Sequence, residues 1–573
     1  MRKKVLKQYL AKNKLLNWFI LVFLGIAIAS WCVTMVKSGL EYSYGIGFWG
    51  ANGHDGVWHI AISNGLSNLN LDNQIFSGAK IKNYHIGYDL ILAILNRLTG
   101  ISVSNLYFQF FPILFSVLIA LFFYLFIVEW RNSKFEFFWA AFFLYFGGSF
   151  GWIVNLFRGE QLGGESMFWA QQSVSTLINP PYAFSLMVIF IGLFCLNRYI
   201  EKNKIIYFWS SAILFGLLIE IKSYAGVLVL IGLFLIGLIQ FVKERKKSLL
   251  ALWFVSFLIS ILIFIPVSGF DSKILIFKPF WFLENMLGSV DRFYWPKLFS
   301  AINTYKESGI YLKLFLGYLL AFIIFVIGNF GTRLFIFTRK PNFSYINSFF
   351  YILIFFGILL PTLFVQKGTP WNTIQFLYYS LVFSGILAGV NFAQLIKNKS
   401  KVFICFVSFL MIIVTIPTTI STLFSVYIPN RSPAKLSNNE ISALKFLRQL
   451  PDGIVLTYPF DKYKADEAIS NPPRPLYLYE STAYVSAFSS KKVFMEDEVN
   501  LEILGFDWQN RKIAMQDFFN SNNINEASMF LVNNNIEYLY LIKGQDVNVD
   551  LAKLKLIKIY ENEEVLLYRF EKM

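Results

Sequence analysis

Charge and reactive side chains are scarce in this 573-residue chain, which holds three cysteines, three histidines and only 15% charged residues. Cys32, Cys195 and Cys405 each lie inside an apolar run, so no disulfide framework is available and the redox compartment is left open. The low charge, set against 56% hydrophobic residues and a mean hydropathy of +0.54, excludes a soluble globular protein, which needs a larger charged surface. HExxH and other tight metal-ligand spacings are also absent.

What is present is a series of apolar runs of about 17–25 residues, the length that crosses a hydrocarbon core of about 30 Å. They fall near 15–36, 103–128, 135–153, 182–196, 205–218, 225–242, 249–267, 312–330, 349–365, 374–395 and 402–423. The reading is a polytopic α-helical membrane protein of about eleven spans, with 205–218 the shortest run. The first run follows Arg2, Lys3, Lys4, Lys7, Lys12 and Lys14 as a signal peptide would. It is too long for that role and no small-residue cleavage site closes it, so it reads as a retained span.

The net charge of +16 has a membrane explanation rather than a nucleic-acid one. Basic clusters stand at the N-terminus, 131–134, 198–204, 243–247, 339–340 and 397–401, at every second connection. Positive-inside orientation then predicts a cytoplasmic N-terminus and a C-terminus outside, in a multi-pass protein of the cell membrane. The remaining connections face outward, and three are long: 37–88, 155–181 and 270–311. Long loops that are not linkers usually carry function, so the outer face is expected to be the working one.

Near residue 430 charge rises and apolar runs shorten. Strand-like stretches at 453–457, 492–495, 536–542, 554–560 and 565–570 alternate with helix-like ones at 439–449 and 509–520. Residues 430–573 read as a small extracytoplasmic α/β domain following a membrane portion of 1–429. It carries no phosphate-cradling glycine loop and no dense catalytic cluster, which favours a stabilising or substrate-guiding role.

All three histidines fall in the first outer loop, in Gly53-His54-Asp55-Gly56-Val57-Trp58-His59 and Tyr84-His85-Ile86-Gly87-Tyr88-Asp89. If these pieces are helical, Asp55 with His59 and His85 with Asp89 are i,i+4 neighbours, two carboxylate–imidazole pairs suited to acid–base chemistry. Imidazole and carboxylate suit zinc, manganese or iron, and Asp55 alone suits a hard cation. A divalent cation at the outer site is therefore an open expectation.

The second outer loop carries Glu165, Gln171, Gln172 and Asn179-Pro180-Pro181, whose prolines disfavour helix just before the next span. Lys222, in Glu220-Ile221-Lys222-Ser223-Tyr224, is wedged between two apolar runs. Such a residue marks a functional path or snorkels to headgroups, and Lys222 could hold a lipid phosphate as a compact positive charge. Arg292 with Trp295, and Trp371-Asn372-Thr373-Ile374-Gln375, complete an outward set of aromatic and amide groups suited to sugars.

This layout resembles the GT-C superfamily of membrane glycosyltransferases, in a bacterial branch. Those enzymes have many spans, a cytoplasmic N-terminus, a long first outer loop with an essential acidic residue, and often a C-terminal outer domain. Asp55 takes the matching place, and the His54–His59 segment, Tyr84-His85, Asn179-Pro180-Pro181, Lys222-Ser223-Tyr224 and Trp371–Phe376 look like that branch. The usual acidic pair (Asp-Glu or Asp-x-Asp) is absent, since histidine precedes Asp55. The resemblance implies transfer of a sugar from a polyprenyl-phosphate donor to a glycan, lipid or protein acceptor at the outer face, with inversion. Asp55 would be the base, with His59 and His85 beside it. His54, Trp58, Asp89, Glu165, Gln171, Asn179, Lys222, Tyr224, Arg292, Asn372 and Gln375 would bind substrate. The competing readings are a transporter or flippase for lipid-linked glycans and a non-catalytic envelope protein. A transporter should place its polar residues at mid-span in repeated halves, whereas here they crowd the outer ends.

Overall fold

The structure, a computed structural model, describes residues 14–170, 172–268 and 275–571, with side chains described from residue 17 onward. Gln171, the N-terminal basic cluster and residues 269–274 of the third long loop lie outside the described residues.

The apolar runs fold as helices, the one open structure in which a segment satisfies its own backbone hydrogen bonds in hydrocarbon. Among the described residues seven helices are long and apolar enough to cross a membrane: Val103–Arg131, Pro180–Lys202, Ser223–Glu244, Ser248–Val267, Tyr311–Thr338, Tyr345–Leu363 and Pro370–Ile396. Two more runs are bent pairs, Lys134–Phe146 with Gly151–Arg158 at 50° and Lys401–Thr415 with Pro417–Tyr427 at 47°. Asn17–Cys32 and Ile205–Ile221 are shorter apolar helices.

Both bends have local causes. Pro417 has no N–H to continue the second pair. At the first, the chain unwinds through Gly147, Gly148 and Ser149, and freed carbonyls would be costly in an apolar setting. Buried Arg333 donates Nη2–H to the Gly147 carbonyl at 2.5 Å and Nη1–H to that of Gly148 at 3.2 Å. The broken backbone is thus closed by a side chain from another span.

Pro180 and Pro181 act differently from the expectation. They open the helix Pro180–Lys202 rather than leaving a stretch of free backbone, because the first helical N–H groups have no intrahelical partner to lose. Asn179 caps that helix through its side-chain oxygen, which accepts from the Tyr182 N–H at 3.3 Å.

The described residues of the first and third long loops are folded. The first contains strands Glu41–Tyr42 and Gly45–Phe48 and helix Asp55–Ser67, and runs into helix Gly87–Thr99. Gly45–Phe48 pairs antiparallel with Ala434–Leu436, which pairs parallel with Arg474–Pro475. One small sheet therefore ties the first loop to the C-terminal region. In the third segment, Leu275–Phe277 pairs antiparallel with Phe364–Gln366.

The C-terminal region is α/β. Its five-stranded sheet runs Leu556–Glu561, Val565–Phe570, Ile536–Ile542, Ile454–Thr457, Lys492–Val493. The last three strands are mutually parallel and the first two add on antiparallel. Ile536–Ile542 is apolar and buried along nearly its whole length, as a strand covered on both faces should be. Helix Asn438–Gln449 starts on a capping box, Ser437 with Glu440, a start signal carried by four consecutive residues.

Candidate active site

Two helices of the first loop, Asp55–Ser67 and Gly87–Thr99, pack together to build one wall of the site. Their approach to neighbouring elements depends on glycine. A Cβ on Gly87 would lie 2.7 Å from the Glu220 carbonyl oxygen, and one on Gly56 would lie 2.5 Å from Phe108. With only hydrogen at Gly87, the start of its helix rests on the Glu220–Lys222 connection, where Glu220 Oε1 accepts the Ile86 N–H at 2.9 Å.

The carboxylate–imidazole pairs differ from the i,i+4 pairs expected. His59 pairs through Nδ1 with Asp89 on the other helix, at 2.7 Å, and Asp89 also accepts the Ser63 hydroxyl at 3.2 Å. His85 precedes its helix instead of sharing a face with Asp89, because the turn that Gly87 opens begins after it. Asp89 is completely buried beneath His59, so it orients that ring and does not face a substrate. The His59 ring also stacks on Tyr107, with centroids 5.6 Å apart.

Asp55 is held by its sequence neighbour. His54 Nδ1 lies 3.0 Å from Asp55 Oδ1, while Nε2 lies 3.2 Å from Asp497 Oδ1. Burial disfavours a charged His54, but Asp497 and Asp55 outweigh it and hold the ring well above the usual histidine range. The ring is therefore an imidazolium that donates to both carboxylates. Burial would raise the Asp55 carboxyl, yet the His54 hydrogen bond and charge outweigh it and hold Asp55 below the carboxylate range. Asp497 caps helix Glu498–Leu504 and is fully buried. A second carboxylate thus reaches the same histidine from the C-terminal region.

Two cavities meet at Asp55, whose side chain is 48% exposed into them. The first, of 310 Å³, is walled by His59, His85, Lys222, Tyr224 and apolar side chains of the spans, Val227 and Phe264. The second, of 490 Å³, is walled by Trp169, Arg292, Trp371, Tyr378, Tyr427 and Glu480. Asn179, Asn372, Gln375, Asn500 and Ile503 line both. Trp58 stands in the first cavity, edge-on to Tyr84 at 5.7 Å.

Lys222 does not snorkel. It is 5% exposed, donates to Asn179 Oδ1 at 3.2 Å, and lies 5.6 Å above the Tyr224 ring. Burial pushes its ammonium down to about 7, against the pull of Asp55 and Asp89. Burial and the nearby Lys222 hold His85 well below the histidine range, so that ring is neutral. Tyr224 donates to Gln366 at 2.8 Å, and Arg292 stacks over Trp169 at 4.0 Å while donating to the Ser166 carbonyl at 2.8 Å.

Of the residues expected at the site, Asp89 and Glu165 line neither cavity. Glu165 is buried elsewhere, and burial pushes its carboxyl up to about 8. Residues missed from sequence include Asp497, Asn500, Ile503 and Glu480, which arrive from the C-terminal region. No local signal marks them. Tyr84 was legible only as the neighbour of His85, and nothing in the sequence marks Gln366.

The donor set does not fit a resident divalent cation. Both His54 nitrogens already serve carboxylates, and among the described residues no group of three His, Cys, Asp or Glu side chains is placed to hold a metal ion.

No protein-family model and no curated protein matches the chain. Solved structures do. The mycobacterial arabinofuranosyltransferase AftD matches at 10% identity and a TM-score of 0.50, over 97% of this chain and 40% of AftD. The oligosaccharyltransferase of Archaeoglobus fulgidus, solved with zinc and sulfate, matches at 16% identity and 0.48, over 95% of this chain and 72% of that one. ArnT from Cupriavidus metallidurans, bound to undecaprenyl phosphate, matches at 10% identity and 0.38, over 96% and 98%. The shared property is the fold, that of a polytopic helical membrane protein.

Proposed function

We propose that this GT-C-fold membrane protein is an inverting glycosyltransferase that moves a sugar from a polyprenyl-phosphate donor to a hydroxyl of an acceptor glycan, lipid or protein. The observation that carries the reading is the place of Asp55, an accessible carboxylate where two cavities of different chemistry meet.

The 310 Å³ cavity suits the donor. Val227 and Phe264 give it an apolar side for the first isoprene units, and Lys222 supplies a positive charge for the phosphate. The 490 Å³ cavity, with its tryptophans and amides, suits the acceptor. The acceptor oxygen attacks the anomeric carbon while the bond from that carbon to the phosphate oxygen breaks. Asp55 takes the hydroxyl proton, and the polyprenyl phosphate leaves with the bonding pair. Charge growing on the phosphate strengthens its attraction to Lys222, which is what accelerates the step. His54 keeps Asp55 ionised and oriented, and His59, held by Asp89, backs the donor wall.

The alternation of basic clusters supports a cytoplasmic N-terminus and, with it, chemistry on the outer face of the cell membrane and an extracytoplasmic C-terminal α/β region. The test is transfer by the purified protein in liposomes from labelled polyprenyl-phosphate sugars, with the anomeric configuration of the product read by NMR. Retention of configuration would exclude direct displacement.

A further inference from the structure

Beyond the two cavities at Asp55 lies a third, of 450 Å³, built within the C-terminal α/β region. Its position follows from the sheet. The chain leaves Ile454–Thr457, adds Lys492–Val493 on one side, and then returns to add Ile536–Ile542 on the other. Connections from parallel strands that part in this way leave a crevice beyond the strands' carboxyl ends, where open α/β sheets bind ligands. The residues that follow each strand line this cavity: Tyr458 after the first, Glu496 after the second, Lys543 after the third.

We propose that this cavity is a saccharide subsite, taking uncharged sugar units of the acceptor beyond the one whose hydroxyl meets Asp55. That choice of occupant rests on the transferase reading. The lining excludes the phosphate ligands common at such sheet edges. Its two lysines are already committed, Lys464 to Asp546 at 2.7 Å and Lys543 to Glu561 at 2.8 Å, and its remaining charged groups are carboxylates. What it offers instead is the rings of Tyr458, Tyr477 and Tyr484, together with hydroxyl and carboxylate oxygens. Rings cover the C–H faces of sugars, and oxygens accept from their hydroxyls. The Thr482 hydroxyl is buried and has no hydrogen-bond partner among the described residues, the state of a group that a ligand completes.

The cavity adjoins the chemistry. Glu480 borders both it and the 490 Å³ cavity, and Asp497, one of its wall residues, holds His54 beside Asp55. A chain seated in both would present one end to the base. A volume of 450 Å³ also lies within the range of about 300–1,000 Å³ usual for ligand pockets.

The test is saturation-transfer NMR on the full chain in detergent, carrying Asp55→Asn so that turnover plays no part. The probes are maltotriose, mannotriose and chitotriose, with trigalacturonic acid as the acidic comparator. At least one neutral probe should receive saturation, and trigalacturonic acid should receive none. Ala468→Trp, which fills the cavity, should cut the transfer about tenfold or more, and Thr482→Val should weaken it, with unchanged melting and elution. If Ala468→Trp does not fold, Tyr458→Ala takes its place. No transfer to any neutral probe, equal transfer to the acid, or full transfer in the filled variant would overturn the subsite. Binding without transferase activity in the wild type would instead count against the reaction alone.

Discussion

The imidazole of His54 joins Asp55 to Asp497, a residue 443 positions from that histidine in sequence, through contacts of 3.0 and 3.2 Å. The proposed base and the C-terminal region are therefore one electrostatic unit. Asp497→Asn should lower the His54 pKa and so relax the hold on Asp55, moving the acid limb of the pH–rate profile upward. Asp55 must be ionised to act, so activity at low pH falls first. Asp497→Ala, which leaves the buried imidazolium half paired, should destabilise the protein by about 3–5 kcal/mol. An unshifted acid limb in the asparagine variant would separate Asp497 from catalysis.

On the transferase reading, Lys222 makes donor binding depend on pH. Burial pushes its ammonium down to about 7 in the free protein, and a bound phosphate favours the charged form. Binding is then complete below that value and weakens as pH rises above it, because each donor bound must bring a proton to Lys222. Titrating undecaprenyl phosphate between about pH 6 and 9 should show this fall, by up to about tenfold per pH unit. Lys222→Met should flatten the profile and weaken binding at the acid end by about 10- to 100-fold.

Gly87 sets the distance between the His85 helix start and the lysine connection. Gly87→Ala places a methyl against the Glu220 carbonyl, a backbone atom that cannot swing aside. The expected loss is about 1–3 kcal/mol of stability with a raised donor KM. A melting temperature and KM equal to wild type would show that the helices are free to part.

Arg333 closes the broken span. Arg333→Met leaves the Gly147 and Gly148 carbonyls without its donors, at about 1–3 kcal/mol for each buried group left unpaired. Thermal unfolding in detergent should drop clearly, whereas Arg339→Met, at an exposed position, should change little.

Much of the fold was legible because its signals are local. Apolar length located the helices, and alternation with turn residues located the strands, so the stretch at 536–542 is strand Ile536–Ile542. The site was legible only in part. Every histidine in one loop beside two aspartates pointed to a segment that lines both cavities, but helical spacing paired His59 with Asp55, when packing pairs it with Asp89. Spacing along one helix cannot report which face a second helix covers. Asp497 was beyond reach for the same reason, since long-range contacts bring the C-terminal region to the first loop, among them the pairing of Gly45–Phe48 with Ala434–Leu436 and the Glu496 N–H bond to the Ile75 carbonyl. The break at Gly147 likewise reads as continuous apolar helix until the Arg333 side chain is seen in it.

The central claim is that Asp55 is the base. Asp55→Asn keeps the shape and can still face His54, so it should insert, melt and bind undecaprenyl phosphate like the wild type. Its transfer from a polyprenyl-phosphate sugar, measured with purified protein in liposomes, should fall by about 10²–10⁴-fold, the usual contribution of a positioned general base. Transfer at the wild-type rate in that variant would contradict the account.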